Sequence, residues 1–233
     1  MNVNGNNAAA GRPGPAAEAD RMVETARQRG QLYGFLAALY RHEPTADFLR
    51  RLREPGFSKA LSGAGCRLES DDFDRPEDEL ADELAVEFTR LFIGPGKHVS
   101  PHESVHRNAG GGQLWSEATG EVMSFINRCG FAFSPEYLGL PDHISVEMEF
   151  MEALVAREAG AWGRNDLGEA TKFLKLEKDF IDNHLGRWIP RFCREVMACA
   201  DQTFYGKIAG LTAAFVESED KEMGRLVQDH DIG

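Results

Sequence analysis

An apolar helical run that stops at Gly94-Pro95-Gly96 constrains this chain more than any other feature. Upstream of the stop, Leu80, Leu84, Phe88, Leu91 and Phe92 recur at helical spacing, which predicts an amphipathic helix from about Pro76 to Phe92. Glycine, proline and glycine in succession cannot continue that helix, so the chain must turn there. A second proline, Pro101, leads into His102-Glu103-Ser104-Val105-His106. Further on, Leu140-Pro141-Asp142-His143 opens another long helix, with Ile144, Met148, Met151 and Val155 spaced by three and four. Asp142 reads as its N-cap. Two helix ends that set polar side chains beside apolar ones suit the grip of an extended peptide, and they offer no catalytic apparatus.

The rest of the chain repeats the helical period. Leu32, Phe35, Leu36, Leu39 and Tyr40 form one stripe within a helix from Ala16 to His42. Further helices are expected over 44–54, 114–129, 167–185, 188–200 and 203–216, with Pro44 and Pro190 in first turns. An apolar cluster falls at 56–65, and acidic 69–82 reads as a solvated loop. No run alternates apolar and polar residues as a half-buried strand would. The fold class is therefore all-α, a single-domain bundle of roughly nine to eleven helices. The long loop from Ile93 to Gln113 sets an N-terminal group of helices beside a C-terminal one. Residues 1–15, rich in Asn, Ala, Gly and Pro, read as a disordered tail, 16–217 as the helical domain and 218–233 as a polar tail.

Charge narrows the function. The chain has 233 residues, enough for one well-buried core, and a formal net charge of −12. That excess disfavours sequence-independent nucleic-acid binding, which needs cations on phosphate, and favours a cationic partner. The cysteines at 66, 129, 193 and 199 form no CxxC pair and read as buried thiols. No apolar run reaches the ~20 residues that span a bilayer, and the N-terminus has no apolar leader core, so a cytoplasmic protein without stable membrane insertion is expected.

His102-Glu103-x-x-His106 is a formal HExxH, in which two His ligands one helical turn apart hold zinc and the Glu acts as base. It falls between Gly94-Pro95-Gly96 and Gly110-Gly111-Gly112, where only a short helix fits, so no metal or catalytic residue is assigned. Histidines 98, 102 and 106 read as exposed loop residues. A zinc-dependent hydrolase stands as the alternative function. Glu147, Glu149 and Glu152 read as a solvated helix face, and the triple glycine lacks the Lys-Ser/Thr ending of a phosphate-binding loop.

Leu91-Phe92-Ile93-Gly94-Pro95, Pro101-x-x-Ser104-Val105 and Pro141-Asp142-His143, in this order, resemble the signature segments of the TorD/DmsD family. His184-Leu185-x-x-Trp188-x-Pro190-x-Phe192 and Phe204-Tyr205 extend the similarity over about Gln31 to Phe215. His102 and His106 depart from it, standing where the family often has aromatic residues. The resemblance implies a non-enzymatic cytoplasmic chaperone, without a cofactor of its own, for a molybdenum-cofactor-containing oxidoreductase. Such a protein binds the client's twin-arginine leader or apoprotein, assists cofactor insertion and delays export. The matched positions imply a peptide-binding set of Leu91, Phe92, Gly94, Pro95, Pro101, Glu103, Ser104, Asp142 and His143. A carboxylate such as Asp142 would pair with a leader arginine. A leader-independent assembly adaptor, related to NarJ-type chaperones, is a further alternative. Either a monomer or a swapped dimer is compatible with the long loop.

Overall fold

The computed structural model describes residues 15–54, 75–107, 112–134, 136–200 and 203–230, and among these every regular element is helical. In chain order they are α1 (Pro15–Arg41), α2 (Ala46–Leu52), α3 (Glu77–Phe88) running into a π-helical turn (Thr89–Ile93), and the four-residue α4 (Glu103–His106). Then come α5 (Glu117–Arg128), α6 (Ile144–Gly163), α7 (Leu167–Phe180), a second π turn (Ile181–Leu185), α8 (Gly186–Cys199) and α9 (Phe204–His230). The expected tail over 1–15 and the apolar cluster at 56–65 lie outside the described residues, apart from Pro15, which is helical.

The centre of the bundle is α6. Ile144, Val146, Met148, Phe150, Met151, Leu154 and Val155 are all buried, so the helix is covered on most of its circumference. That burial also takes in Glu147, which the spacing of charges had assigned to a solvated face. α1 packs along α6, so the 93–113 loop joins helices of one interleaved core. At one end an aromatic cluster closes the bundle: Phe92 lies edge-on to Tyr40 (5.9 Å between centroids) and to Tyr205 (5.4 Å), and Tyr40 is edge-on to Phe192 (5.6 Å).

At the other end, four helices converge on one guanidinium. Arg29 of α1 donates from Nη1 to Glu158 Oε2 of α6 (2.7 Å), from Nη2 to Glu177 of α7, and from Nε to both oxygens of Glu219 of α9 (2.9 and 3.1 Å). All four side chains are buried. This is one reason why α9 continues to His230, where a frayed polar tail was expected from 218 onward. Glu219, Met223 and Leu226 occupy its inner face, and the acidic first member of that stripe hid it from a reading based on apolar residues alone.

A second expectation also fails in an instructive way. A break was expected between Leu185 and Trp188, with Pro190 in a first turn. Instead Ile181, Leu185 and Gly186 all keep right-handed helical dihedrals. α7 and α8 form one rod through the π turn, with Pro190 inside it. Of the thiols expected to be buried, Cys193 is buried, Cys129 is half-buried and Cys199, the last residue of α8, is exposed, while Cys66 lies outside the described residues. No helix among the described residues is long and apolar enough to cross a membrane.

Candidate functional site

The signature segments meet where α4 and α6 begin. Each helix start leaves backbone N–H groups without an internal partner, and here the two starts satisfy one another. Glu103 N–H donates to Asp142 O (2.9 Å), and Ile144 N–H donates to Pro101 O (2.9 Å). His102 and His143 form the isolated β-bridge between these bonds. Ser104 N–H donates to Asp142 Oδ2 (2.9 Å), and Ser145 N–H donates to His143 Nδ1 (3.1 Å). We call this reciprocal capping the latch.

The latch corrects the role expected of Asp142. The N-cap of α6 is His143, while Asp142 caps α4, a helix that lies earlier in the chain. Its short side chain points away from its own helix because Pro101–Ser104 runs alongside. Asp142 is fully buried, and Oδ1 is a buried oxygen with no hydrogen bond. Its carboxylate is not presented to solvent.

Two more carboxyl groups lie beneath. Glu103 accepts from His184 Nδ1 (3.0 Å) and from Arg107 Nη1 (3.2 Å), and Glu147 accepts from Trp188 Nε1 (3.0 Å). Burial, reinforced by the neighbouring Glu103 carboxylate, pushes Glu147 well above the ordinary carboxylate range. Both influences favour its neutral, protonated form. Burial lowers both His102 and His143, the latter to about 3, so these imidazoles are neutral and put no positive charge on the latch.

The histidines serve as rings. His106 stacks on Trp188 (5.6 Å, 23° between planes), meets Phe192 edge-on, and hydrogen-bonds through Nε2 to Ser100 O (2.7 Å). His102 lies edge-on to His143 (4.9 Å). Both therefore pack as rings among other rings. Of the three histidines read as exposed, only His98 is so. The HExxH geometry is not formed: Glu103 turns inward to His184, while His102 and His106 pack on separate partners. Among the described residues no group of three or more His, Cys, Asp or Glu is placed to hold a metal ion.

The expected binding residues thus divide. Leu91, Phe92, Pro101, Glu103, Ser104 and Asp142 are buried and build the latch and the core beneath it. Gly94 and His143 are half-buried, and Pro95 is exposed. Sequence reasoning missed exposed apolar residues on either side of α4: Ile93 at the end of the π turn (63% exposed), and Leu114 (51%) and Trp115 (73%) on the loop that follows α4. The helix expected over 114–129 took in Leu114 and Trp115, whereas α5 begins at Glu117 and leaves both on the loop before it. The second loop is held close because Gly112 N–H donates to Val105 O (3.2 Å), and a Cβ on Gly112 would lie 2.0 Å from Ser104 O. Beside it, Arg107, Ser116, Glu117, Ala118 and Glu121 line a small polar cavity of about 180 Å³.

The signature carboxylates of this all-helical bundle are thus committed to internal hydrogen bonds. A family model described as nitrate reductase delta subunit matches residues 51–194, and the chain belongs to that family. Among curated relatives, the chaperone protein TorD of Vibrio parahaemolyticus is 26% identical over 203 residues, covering 81% of this chain and 91% of that one. The selenate reductase assembly chaperone protein of Thauera selenatis is 31% identical over 104 residues, 45% of this chain and 52% of its own. The perchlorate reductase assembly chaperone protein of Dechloromonas aromatica is 27% identical over 103 residues, 44% and 45% of the two chains. These relatives are chaperones by name, and this chain is a chaperone of the TorD class rather than an enzyme.

Proposed function

We propose that this protein is a cytoplasmic chaperone for the catalytic subunit of a molybdenum-cofactor-containing oxidoreductase. It binds the client's twin-arginine leader and delays export until the cofactor is inserted. The reading is supported by one observation: two of the segments that resemble the TorD/DmsD signature, 101–105 and 141–143, are hydrogen-bonded to each other at the start of α4 and α6. The net charge of −12 favours approach of a cationic leader, and the neutral His102 and His143 do not oppose it. Ile93, Pro95, Leu114 and Trp115 offer apolar contact for the leader's hydrophobic segment. Of the expected set, Gly94, Pro95 and His143 contact the peptide. The buried members, Leu91, Phe92, Pro101, Glu103, Ser104 and Asp142, act by holding that surface in shape.

Calorimetric titration with a synthetic twin-arginine leader tests this. Binding is expected to weaken as salt rises, because screening shortens the reach of the charge attraction. Trp115→Ala should weaken it about tenfold, or about 1.4 kcal/mol, with an unchanged melting curve. Absence of binding to the leader, together with binding to the leaderless client, would leave the assembly-adaptor role in its place.

A further inference from the structure

At the Arg29 cluster, distant from the latch, three carboxyl groups surround one guanidinium. Glu158, Glu177 and Glu219 face Arg29, and the other groups in reach are Tyr33 of α1, Trp162 of α6 and Met223 of α9. If all three carboxyls were ionised, two negative charges would sit uncompensated in the core. Charge without partner or water is the costliest thing a protein interior can hold, and a carboxyl group avoids it by keeping its proton.

The hydrogen bonds indicate which group does so. Glu158 has both oxygens engaged, Oε1 by Trp162 Nε1 (2.7 Å) and Oε2 by Arg29 Nη1 (2.7 Å). Glu219 receives Arg29 Nε on both oxygens and faces the Tyr33 hydroxyl. Glu177 receives one donor, Arg29 Nη2, on Oε2, and its Oε1 is buried without a hydrogen bond. It is the least supported as an anion. We propose that the Arg29 cluster is a proton-loaded lock: Glu177 is protonated in the folded protein, and loss of that proton loosens α1 and α9 from α6 and α7. Burial, followed by the Glu158 and Glu219 charges, raises Glu177 against the opposing pull of Arg29, in keeping with this.

Folding then takes up one proton at this site. The sign follows from linkage: a raised folded pKa gives stability that is fully present below the unfolded value, near pH ~4.3, and is lost as pH rises through the folded value. Between those values one extra bound proton changes the folding equilibrium constant by about tenfold per pH unit. Carbon-detected NMR of the glutamate side-chain carboxyls in the full chain is the direct test. Wild type at pH 7 should show a protonated-carboxyl resonance that is absent from Glu177→Gln. Denaturant melts between pH 5 and 8 should show wild type losing stability relative to Glu177→Gln by up to tenfold per pH unit. An ionised Glu177 in wild type at pH 7 would overturn the proposal even if the variant failed to fold. A Glu177→Gln stability profile parallel to wild type would also overturn it.

Discussion

The latch and the Arg29 cluster are both buried and both hold more carboxyl groups than cations, yet they are built from different material. The latch uses backbone: Asp142 and the main chain around it satisfy the starts of α4 and α6, and side-chain cations enter only behind them. The Arg29 cluster uses one side chain against three, each from a different helix. The first fixes local chain direction and so shapes a surface. The second fixes how four long helices lie together and shapes no surface. Losses should therefore spread globally from the cluster and remain local at the latch.

The largest effect is expected for Arg29→Met, which leaves Glu158, Glu177 and Glu219 without their cation. Breaking a buried ion pair from one side costs about 3–5 kcal/mol, so a denaturant melt should show the midpoint falling steeply. A loss below about 1 kcal/mol would mean that the four helices do not depend on the guanidinium.

Asp142→Ala should come next, at about 1–3 kcal/mol, because a buried backbone N–H at Ser104 loses its acceptor. Hydrogen exchange should locate the loosening in α4 and the start of α6, with α9 protected as before. Exchange rising equally in α9 would erase the distinction between the two regions.

Glu147→Gln is the smallest, within about 0.5 kcal/mol at pH ~4, where the glutamate largely holds its proton whether or not the chain is folded. The protonated carboxyl is already a neutral group of that shape, and the amide can still face Glu103 and accept from Trp188. Its pH dependence is more telling. Glu147 is raised by folding, so wild type loses its contribution as pH climbs through the folded value while the variant does not. Melts across pH 5 to 8 should therefore move in favour of Glu147→Gln as pH rises.

Legibility in the sequence followed the same division. Helix positions could be read from apolar spacing because α1, α3, α5 and α7 each bury one stripe. Glu147 could not, since a helix covered on most sides carries no solvated face for a charge pattern to mark. Asp142 was recognised as a capping residue and assigned to the wrong helix. A sequence shows what a side chain can accept, whereas the donor, Ser104 N–H, comes from a segment apposed only in three dimensions. Arg29 falls on the buried stripe of α1, between Ala26 and Tyr33, whereas exposed Arg27 two positions earlier does not, but the spacing names no partner for its charge. Its meaning lies entirely in three distant glutamates.

The π turn at Ile181–Leu185 gives one rod two addresses. Before it, Glu177 reaches the Arg29 cluster; His184 within it and Trp188 after it reach the carboxyl groups of the latch. A residue added to a helix shifts everything beyond it by about 100° around the axis. Deleting one residue from this turn would restore a regular α-helix and swing the Trp188 indole away from Glu147, while leaving every residue of α7 in place. Apolar periods counted straight through Leu167–Cys199 therefore fall out of step at this turn, and the two halves have to be phased separately.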